Sequence, residues 1–346
     1  MTSKAEWMNK GKFGLMAHWI PPGLPPRVGA RVTDLNTAVN GFDLDLFLRQ
    51  FMETGADWLI FTIGQNTGYY ASPNSVLDRL AGPGHCSRRD LVLEIAQAVK
   101  AMGRRFIAYF TYEVAGQSAE IKKAFQWTEV EGTAQEKFQP LFCEFIAEYA
   151  RRFGNLLDGW WIDGTFTGEA FGGVFDYAKI RADLLWSALR AGNPEACAAF
   201  NDGSLCCGST NVVVPGQDYL AGETEVLING KVRHGGRRGT NAPLLDIATH
   251  FRQPPASCLW HALVPIDCMW GHGCRGKGWQ CLPFTIPATG PGEMEPPLYT
   301  VSDLQTLVRD FKAAGGGVTF NVGIFQEGGL GPKSVDQLAE LTRCMS

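Results

Sequence analysis

Residues 157–164 read Leu-Asp-Gly-Trp-Trp-Ile-Asp-Gly, a bulky apolar stretch that ends in one carboxylate, Asp163, followed by a glycine. Tryptophan and isoleucine favour the covered surface of a β-strand, and the glycine lets the chain turn away directly afterwards. We therefore predict a buried strand over 159–163. A carboxylate at the end of such a strand adds little to packing, so we interpret Asp163 as functional. The alternative is an aspartate that caps the following loop.

Short apolar stretches of the same kind recur on both sides of this segment, separated by longer amphipathic ones. Continuous apolar strands are typical of parallel sheets, because helices cover both of their faces. The predicted strands are 13–19, 57–64, 105–112, 159–163, 196–201, 218–222, 258–264 and 318–322. The predicted helices are 44–54, 90–102, 135–153, 177–191, 301–314 and 334–344.

Eight strands with intervening helices indicate a single α/β domain over residues 1–346, a (β/α)8 TIM barrel. A doubly wound sheet is the alternative. It fits less well because Trp-Ile-Pro-Pro-Gly at 19–23 cannot offer the consecutive backbone N–H groups of a phosphate-binding loop. Two segments rich in glycine and proline, 206–241 and 269–297, follow or lie near strand ends, where a barrel builds its active site.

Composition and charge argue against several classes of function. The net charge is −4, and the one dense basic segment, 231–238, is short and glycine-rich, so we interpret it as a mobile loop and expect no nucleic-acid partner. No apolar run reaches the ~18–20 residues that span a membrane, and the N-terminus lacks the apolar core of a secretory signal. Ten cysteines without a C-x-x-C pair indicate reduced thiols in a cytoplasmic protein.

A metal site is a weaker interpretation of some of these cysteines. The alternative zinc ligands are Cys268, His272, Cys274 and Cys281. Their spacing matches no familiar ligand set, so we expect no metal.

Carboxylates, amides and aromatic side chains gather at the predicted carboxyl ends of the strands. In a parallel barrel these ends meet on one face, so we expect the side chains to surround a common pocket. The mixture suits a sugar, because aromatic rings stack on apolar sugar faces while carboxylates, amides and imidazoles bond its hydroxyls. The candidate substrate-binding residues are His18, Trp19, Gln65, Asn66, Tyr112, Glu113, Trp161, Asn201, Glu225, Trp260 and His261.

Cleavage of a glycosidic bond requires a second carboxyl group near Asp163. Glu223 and Glu225 follow the predicted strand 218–222, and Glu113 follows the predicted strand 105–112. Judged by position alone, each of these three acids is equally well explained as a solvated surface residue. The residues themselves leave the choice among them open.

Five stretches, spread over nearly the whole chain, resemble in order segments of the α-L-fucosidase family of glycoside hydrolases (family 29). They are Met-Asn-Lys-Gly-Lys-Phe-Gly-Leu-Met-Ala-His-Trp at 8–19, Ser-Arg-Arg-Asp-Leu-Val at 87–92, Trp-Trp-Ile-Asp-Gly at 160–164, Asp-Tyr at 218–219 with Glu223 beyond it, and Gly-Gly-Val-Thr-Phe-Asn-Val-Gly at 316–323. The resemblance implies a retaining exo-glycosidase that cleaves a terminal α-L-fucoside or a related sugar, without a cofactor.

The resemblance also implies individual roles. Asp163 would be the catalytic nucleophile and Glu223 the acid/base, with Glu225 in reserve. His18 would bind sugar hydroxyls and Trp19 would shape the same pocket. The expected partner is a carbohydrate, with no membrane partner, and the sequence is compatible with a homo-oligomer.

The chain departs from the family pattern in three respects. Gln65-Asn66 stand where relatives carry paired histidines, Trp260-His261 stand where they often show Trp-Glu, and we expect no β-sandwich after the barrel. These departures leave the hydrolytic machinery in place and question the preference for fucose. The alternatives are therefore a glycosidase of another sugar, such as an α-L-galactoside or a substituted fucoside, and a catalytically inactive carbohydrate-binding barrel.

Overall fold

A computed structural model describes most of the chain. The described residues are 3–65, 67–165, 175–201, 212–224, 227–228, 231–233, 244–246, 258–268, 270, 290 and 292–345; for those between 227 and 246 only the backbone is described. The predicted site residues Asn66 and Glu225 lie outside the described residues.

A curled parallel sheet forms the centre of the fold. In chain order the strands are β1 (Gly14–Ala17), β2 (Trp58–Thr62), β3 (Arg105–Thr111), β4 (Gly159–Asp163), β5 (Cys197–Phe200), β6 (Leu227–Ile228), β7 (Lys231–Arg233), β8 (Leu244–Asp246), β9 (His261–Pro265) and β10 (Gly317–Val322). Seven of them form one sheet in the order β5-β4-β3-β2-β1-β10-β9. Since β1 lies between β2 and β10, the sheet curls as in a TIM-like barrel, which confirms the α/β class.

Residues 218–224 lie between the two edge strands of this sheet, β5 and β9. The Asp218 N–H donates to the Ala198 carbonyl of β5 at 3.0 Å, and the Thr224 N–H donates to the Leu263 carbonyl of β9 at 2.9 Å. Two isolated bridges also pair this segment in parallel with residues 259 and 263. The segment predicted as strand 218–222 therefore occupies the position expected for a further barrel strand, although it pairs through single bridges only.

Side chains along each strand alternate between the two faces of the curled sheet. On β3, Phe110 belongs to the large outer core, between sheet and helices, whereas Ile107 and Tyr109 belong to a smaller inner cluster. Met8 of the first helix also packs into this inner cluster. Whether a residue has an odd or even position in its strand therefore decides whether it faces the pocket or the helices.

The helices form the outer layer. They are α1 (Glu6–Lys10), α2 (Leu35–Asn40), α3 (Leu44–Thr54), α4 (Ser75–Ala81), α5 (Leu91–Ala101), α6 (Ala119–Ala124), α7 (Phe138–Phe153), α8 (Ala182–Leu189), α9 (Val301–Ala313) and α10 (Pro332–Cys344). The carboxylates of Asp43 and Asp90 cap α3 and α5 by accepting a hydrogen bond from the backbone of the first turn. The predicted helix 177–191 is wrong at its start, because Tyr177–Lys179 forms a separate 3₁₀ turn.

The antiparallel strands β6, β7 and β8 form a small second sheet. The basic segment 231–238 had been interpreted as a mobile loop, and this is wrong for Lys231–Arg233, which pair with Leu244–Asp246. Residues 234–238 lie outside the described residues. Within the described part of the chain, every helix is too short or too polar to cross a membrane.

Candidate active site

Asp163 is the last residue of β4, so its side chain lies at the carboxyl ends of the parallel strands. Its Oδ2 accepts hydrogen bonds from the Tyr109 hydroxyl at 2.6 Å and from the Gln65 amide at 3.4 Å. Its Oδ1 accepts from Asn201 Nδ2 at 2.9 Å and from the Gly164 N–H at 2.8 Å. Donors from four directions fix the orientation of this carboxylate, as a positioned nucleophile requires.

Asn201 joins Asp163 to a second acid. Its Nδ2 donates at 2.9 Å to Asp163 Oδ1 and at 2.7 Å to Glu223 Oε2. The two carboxyl oxygens can therefore be no farther apart than the sum of these lengths. That limit fits the ~5–5.5 Å separation of carboxyl groups in retaining glycosidases and is shorter than the ~6.5–9.5 Å of inverting ones.

Glu223 reaches this position because the preceding glycine allows a close approach of two backbones. Gly222 has φ +70°, and a Cβ atom there would lie 1.9 Å from the His261 carbonyl oxygen, so only glycine fits. Directly after it, the Glu223 side chain turns into the pocket and is only 7% exposed. This burial and the Asn201 hydrogen bond distinguish Glu223 from a solvated surface acid.

Glu113 lies beside the same site but is held differently. A backbone N–H, that of Ala115, donates to its carboxylate, and its Cγ would lie 2.6 Å from a Cβ placed on Gly164. Gly164 has φ +76°, so the chain turns there against the stem of Glu113. Burial, followed by the charges of Glu113 and Asp163, raises the pKa of Tyr177 well above its usual range. The two acids therefore share a neighbour.

Tyr109 and His18 form the wall next to Asp163. Their rings meet edge to face with centroids 5.1 Å apart. Burial, then the charge and hydrogen bond of Asp163, raise the pKa of Tyr109 well above its usual range, so the hydroxyl stays a donor. Burial lowers the pKa of His18 to about 4 and outweighs the opposing hydrogen bond with Gln65. His18 is therefore neutral near pH 7 and can both donate and accept.

Trp161 packs against Tyr109 on the side towards the interior of the curled sheet. Its ring stacks on that of Tyr109 with centroids 5.3 Å apart, and its Nε1 donates to the Ala221 carbonyl at 3.0 Å. Trp161 is 2% exposed. It faces the inner side of the sheet and lies under the hydrogen-bonded residues.

The structure places Trp19, Tyr112 and Trp260 in the outer core, away from the carboxylates. The Trp19 indole donates to the Gln326 carbonyl at 3.1 Å, and the Tyr112 hydroxyl lies 3.7 Å from Cys143 Sγ. The physical reason is the alternation of side chains along a strand. Each of the three is one residue from an inward-facing position, so it points towards the helices.

His261 faces inwards but lies at the other end of the barrel. It is the first residue of β9 and pairs with Gly317, the first residue of β10, so it lies near the amino ends of the strands. Its Nδ1 contacts the Leu220 and Ala221 carbonyls at 3.1 Å, and its Nε2 lies 2.8 Å from Thr319 Oγ1. The prediction that His261 lies with the residues at the carboxyl strand ends is wrong, because β9 begins at this residue.

Two functional candidates were missed in the sequence. Tyr109 and Tyr177 surround Asp163, although neither follows a strand end. Tyr109 could have been found by counting back along β3 in steps of two from Glu113, since both face inwards. Tyr177 comes from the 3₁₀ turn before α8, and its hydroxyl donates to the Gly164 carbonyl; no local pattern indicates that contact.

Among the residues that the structure describes, no group of three or more His, Cys, Asp or Glu side chains could hold a metal ion. His272, Cys274 and Cys281 of the alternative zinc site lie outside those residues. The described site therefore consists of two bridged carboxylates, a neutral imidazole, amides and aromatic hydroxyls. Such a set can attack a carbon centre, transfer a proton and bind hydroxyl groups.

The fold is that of several solved glycoside hydrolases. The endo-fucoidan hydrolase MfFcnA4, of glycoside hydrolase family 107, superposes with TM-score 0.64 at 18% identity over 99% of this chain and 53% of its own. This chain thus spans about half the length of that hydrolase. The endo-fucoidan hydrolase P5AFcnA gives TM-score 0.63 at 15% identity, over 99% of this chain and 93% of its own.

An α-L-fucosidase, isoenzyme 1 from Paenibacillus thiaminolyticus, is similar too. It gives TM-score 0.61 at 16% identity over 99% of this chain and 75% of its own. At these identities the likeness shows a shared fold alone. The sequence matches no protein-family model and no curated protein.

Proposed function

We propose that the protein is a retaining glycoside hydrolase that cleaves α-L-fucosides or a closely related sugar. The observation that carries this proposal is the Asn201 amide, which donates to both Asp163 and Glu223. Carboxyl groups this close leave no room for a water between nucleophile and sugar, so one acid attacks the anomeric carbon itself while the other serves the leaving oxygen on the opposite side. The shared fold with fucose-acting hydrolases supports the sugar class.

In the proposed mechanism Asp163 is the nucleophile. One of its oxygens attacks the anomeric carbon while the bond from that carbon to the leaving oxygen breaks, and Glu223 gives its proton to the leaving oxygen. Repulsion between two such close carboxylates retains one proton on the pair before the reaction. In the second step Glu223 takes a proton from water, and this water opens the glycosyl ester and restores Asp163.

The proposal extends to the fold. Residues 218–224 would be the sixth of eight barrel strands, which closes the sheet between β5 and β9 and brings Glu223 opposite Asn201. The backbone hydrogen bonds from this segment to both edges support it. The chain would then act as a single catalytic barrel.

The preference among sugars depends on Gln65. Its amide touches both Asp163, at 3.4 Å, and His18, where fucosidase relatives would place an imidazole. An amide donates and accepts in fixed directions, and a mismatched hydroxyl leaves a buried group unpaired at a cost of ~1–3 kcal/mol. We therefore expect weak activity on plain aryl α-L-fucosides and higher activity on a related or substituted sugar.

A second candidate is endo-cleavage within a fucose polymer. The fold similarity to P5AFcnA, which spans nearly all of both chains, favours it. The two candidates differ in their products, since exo-cleavage releases single sugars and endo-cleavage releases oligosaccharides. Digestion of a fucoidan followed by size separation distinguishes them.

The test is a panel of aryl α-L-fucosides, α-L-galactosides and substituted fucosides, assayed with wild type and Asp163→Asn. We expect turnover by the wild type on at least one glycoside, a product formed first with retained anomeric configuration by NMR, and a loss of several orders of magnitude in the variant. Near-normal turnover by a folded Asp163→Asn protein would remove this residue from the mechanism. No turnover on any glycoside would favour the inactive carbohydrate-binding barrel.

A further inference from the structure

Trp270 lies just beyond the carboxyl end of β9 and packs against the inner cluster of the barrel. It thus belongs to the same face of the barrel as Asp163, at the opposite side. Its backbone has φ +57°, in the left-handed region that a bulky residue rarely adopts. Its carbonyl oxygen accepts a long hydrogen bond of 3.3 Å from Asn321 Nδ2.

Asn321 faces the barrel interior one residue before the end of β10. It pairs in register with Met16 of β1, which also faces the interior and is two residues below His18. The Asn321 side chain is fully buried. This places its amide beside the wall that His18 forms, on a side of the pocket to which the proposed mechanism assigns no residue.

Two polar atoms of this pair lack a hydrogen-bond partner within the described part of the chain. They are the indole Nε1 of Trp270 and the amide Oδ1 of Asn321, and both are buried. A buried polar atom left without a partner costs ~1–3 kcal/mol, so such atoms in native proteins usually have a ligand or water to satisfy them. One is a donor and the other an acceptor, and a sugar hydroxyl can serve both roles.

Position separates this pair from other buried atoms of the same kind. Trp127 Nε1 also has no partner among the described residues. Its ring, however, packs on Phe138 and Phe175, which belong to the outer core and not to the inner cluster. Trp270 is half-buried, as Trp127 is, but it packs against the inner cluster. A sugar at the carboxyl ends of the strands would contact its ring, and a shift of the ring would open the amide behind it.

We propose that Trp270 Nε1 and Asn321 Oδ1 bind hydroxyl groups of the sugar on the wall that β9 and β10 form, which adjoins Glu223 and lies across from Asp163. The sugar would lie between this pair, from β9 and β10, and the Asp163–Asn201–Glu223 group, from β4, β5 and the segment after it. The pair then selects sugars by the direction of their hydroxyls, while the carboxylates act on the anomeric carbon. This inference rests on the proposed function, because it assumes that the pocket holds a fucose-like sugar.

The test is calorimetric titration of the intact protein with L-fucose, L-galactose and singly deoxygenated L-fucoses. Trp270→Phe keeps the aromatic face and removes the N–H. Asn321→Leu keeps the branched shape of the side chain, although it is larger, and removes both the acceptor and the 3.3 Å bond to the Trp270 carbonyl. Of L-fucose and L-galactose, one will bind the wild type more tightly. We expect each variant to bind that sugar about 3- to 10-fold more weakly than the wild type does, as for one lost hydrogen bond. For the deoxy sugar that lacks the contacted hydroxyl, variant and wild type should bind equally.

The matched control is Trp127→Phe, which should leave every affinity unchanged. Unchanged affinities in Trp270→Phe and Asn321→Leu, with the wild type binding L-fucose or L-galactose, would overturn this inference and leave the proposed function standing. A lower melting temperature without a change in affinity would do the same, since it would show a structural role. If neither sugar binds the wild type, this inference is overturned, whereas the proposed function is judged separately by turnover of the glycoside panel.

Discussion

Replacing Asn201 by leucine tests the central feature of the site. Leucine keeps the branched shape of asparagine, although it is larger, and cannot donate, so Asn201→Leu removes the bonds of 2.9 Å and 2.7 Å to Asp163 and Glu223 without opening a cavity. Hydrogen bonds to charged groups contribute about 1.5–3 kcal/mol each. Losing that stabilisation of the ionised form should raise the pKa of each acid by about 1–2 units. Water that enters from the mouth and donates in place of the amide reduces this increase to roughly 1 unit.

The expected result is a displaced pH profile. Both limbs of the kcat/KM profile should move to higher pH, because both acids lose a donor to their ionised form. At the original optimum kcat/KM should fall about 10- to 100-fold, as for loss of about 1.5–3 kcal/mol of transition-state stabilisation. The assay is the kcat/KM of the best aryl glycoside between pH 3 and 9, with a thermal melt of each variant.

Asn74→Leu provides the control, since Asn74 is equally buried but caps α4 far from the carboxylates. It should lower the melting temperature and leave the pH profile in place. If Asn201→Leu melts like wild type and both limbs stay where they are, Asn201 does not couple the two acids and the retaining geometry loses its main support.

Three further results are expected. Glu223→Gln should slow glycosides with poor leaving groups far more than activated aryl glycosides, with partial rescue by azide; if Glu225→Gln behaves so instead, the acid/base is two residues away. Tyr109→Phe, which deletes the 2.6 Å bond to Asp163, should lower kcat/KM about 10- to 100-fold with little change in KM, and an unchanged kcat would argue against a positioning role. His261 has its pKa lowered by burial to about 4 from 6.5, so the unfolded chain takes up its proton first and stability falls as the pH drops from about 6.5 to 4. Urea unfolding of the wild type should show this loss, up to ~3 kcal/mol from this residue, and His261→Gln should show a smaller one; equal pH slopes would contradict the burial argument.

The sequence predicts the seven strands of the curled sheet and one acid of the candidate site, but not β6, β7 and β8, because the former signals are local. Gly159–Asp163 is apolar, bounded by glycine and short, and the structure has the same bounds. Asp163, Asn201 and Glu223 come from three separate segments, and one amide reaches both acids because β4, β5 and residues 218–224 lie side by side. The number of residues between Asp163, Asn201 and Glu223 in the sequence does not determine that the three side chains meet.

Where the sequence fails, the reason is the two-residue period of a strand. Trp19 follows His18, and Tyr112 precedes Glu113; in each pair one residue faces the pocket and the other the helices. A strand end that is misjudged by one residue exchanges the two faces. Whether a residue faces the pocket is therefore predicted better by the number of residues that separate it from a known inward-facing residue than by its type.

The amide of Gln65 connects the departure from the fucosidase pattern with the chemistry of the pocket. It contacts Asp163 and His18 but cannot titrate, and burial holds the pKa of His18 near 4. Between about pH 5 and 8 neither Gln65 nor His18 changes charge. Within the described site the pH dependence of the proposed reaction would therefore come from the two bridged acids. Replacing an imidazole by an amide at this position thus alters which hydroxyls the wall can bind without adding or removing a proton from the catalytic pair. In the proposed mechanism a change at residue 65 would therefore alter the sugar preference and leave the charge of the two acids the same, although the same amide also donates to Asp163.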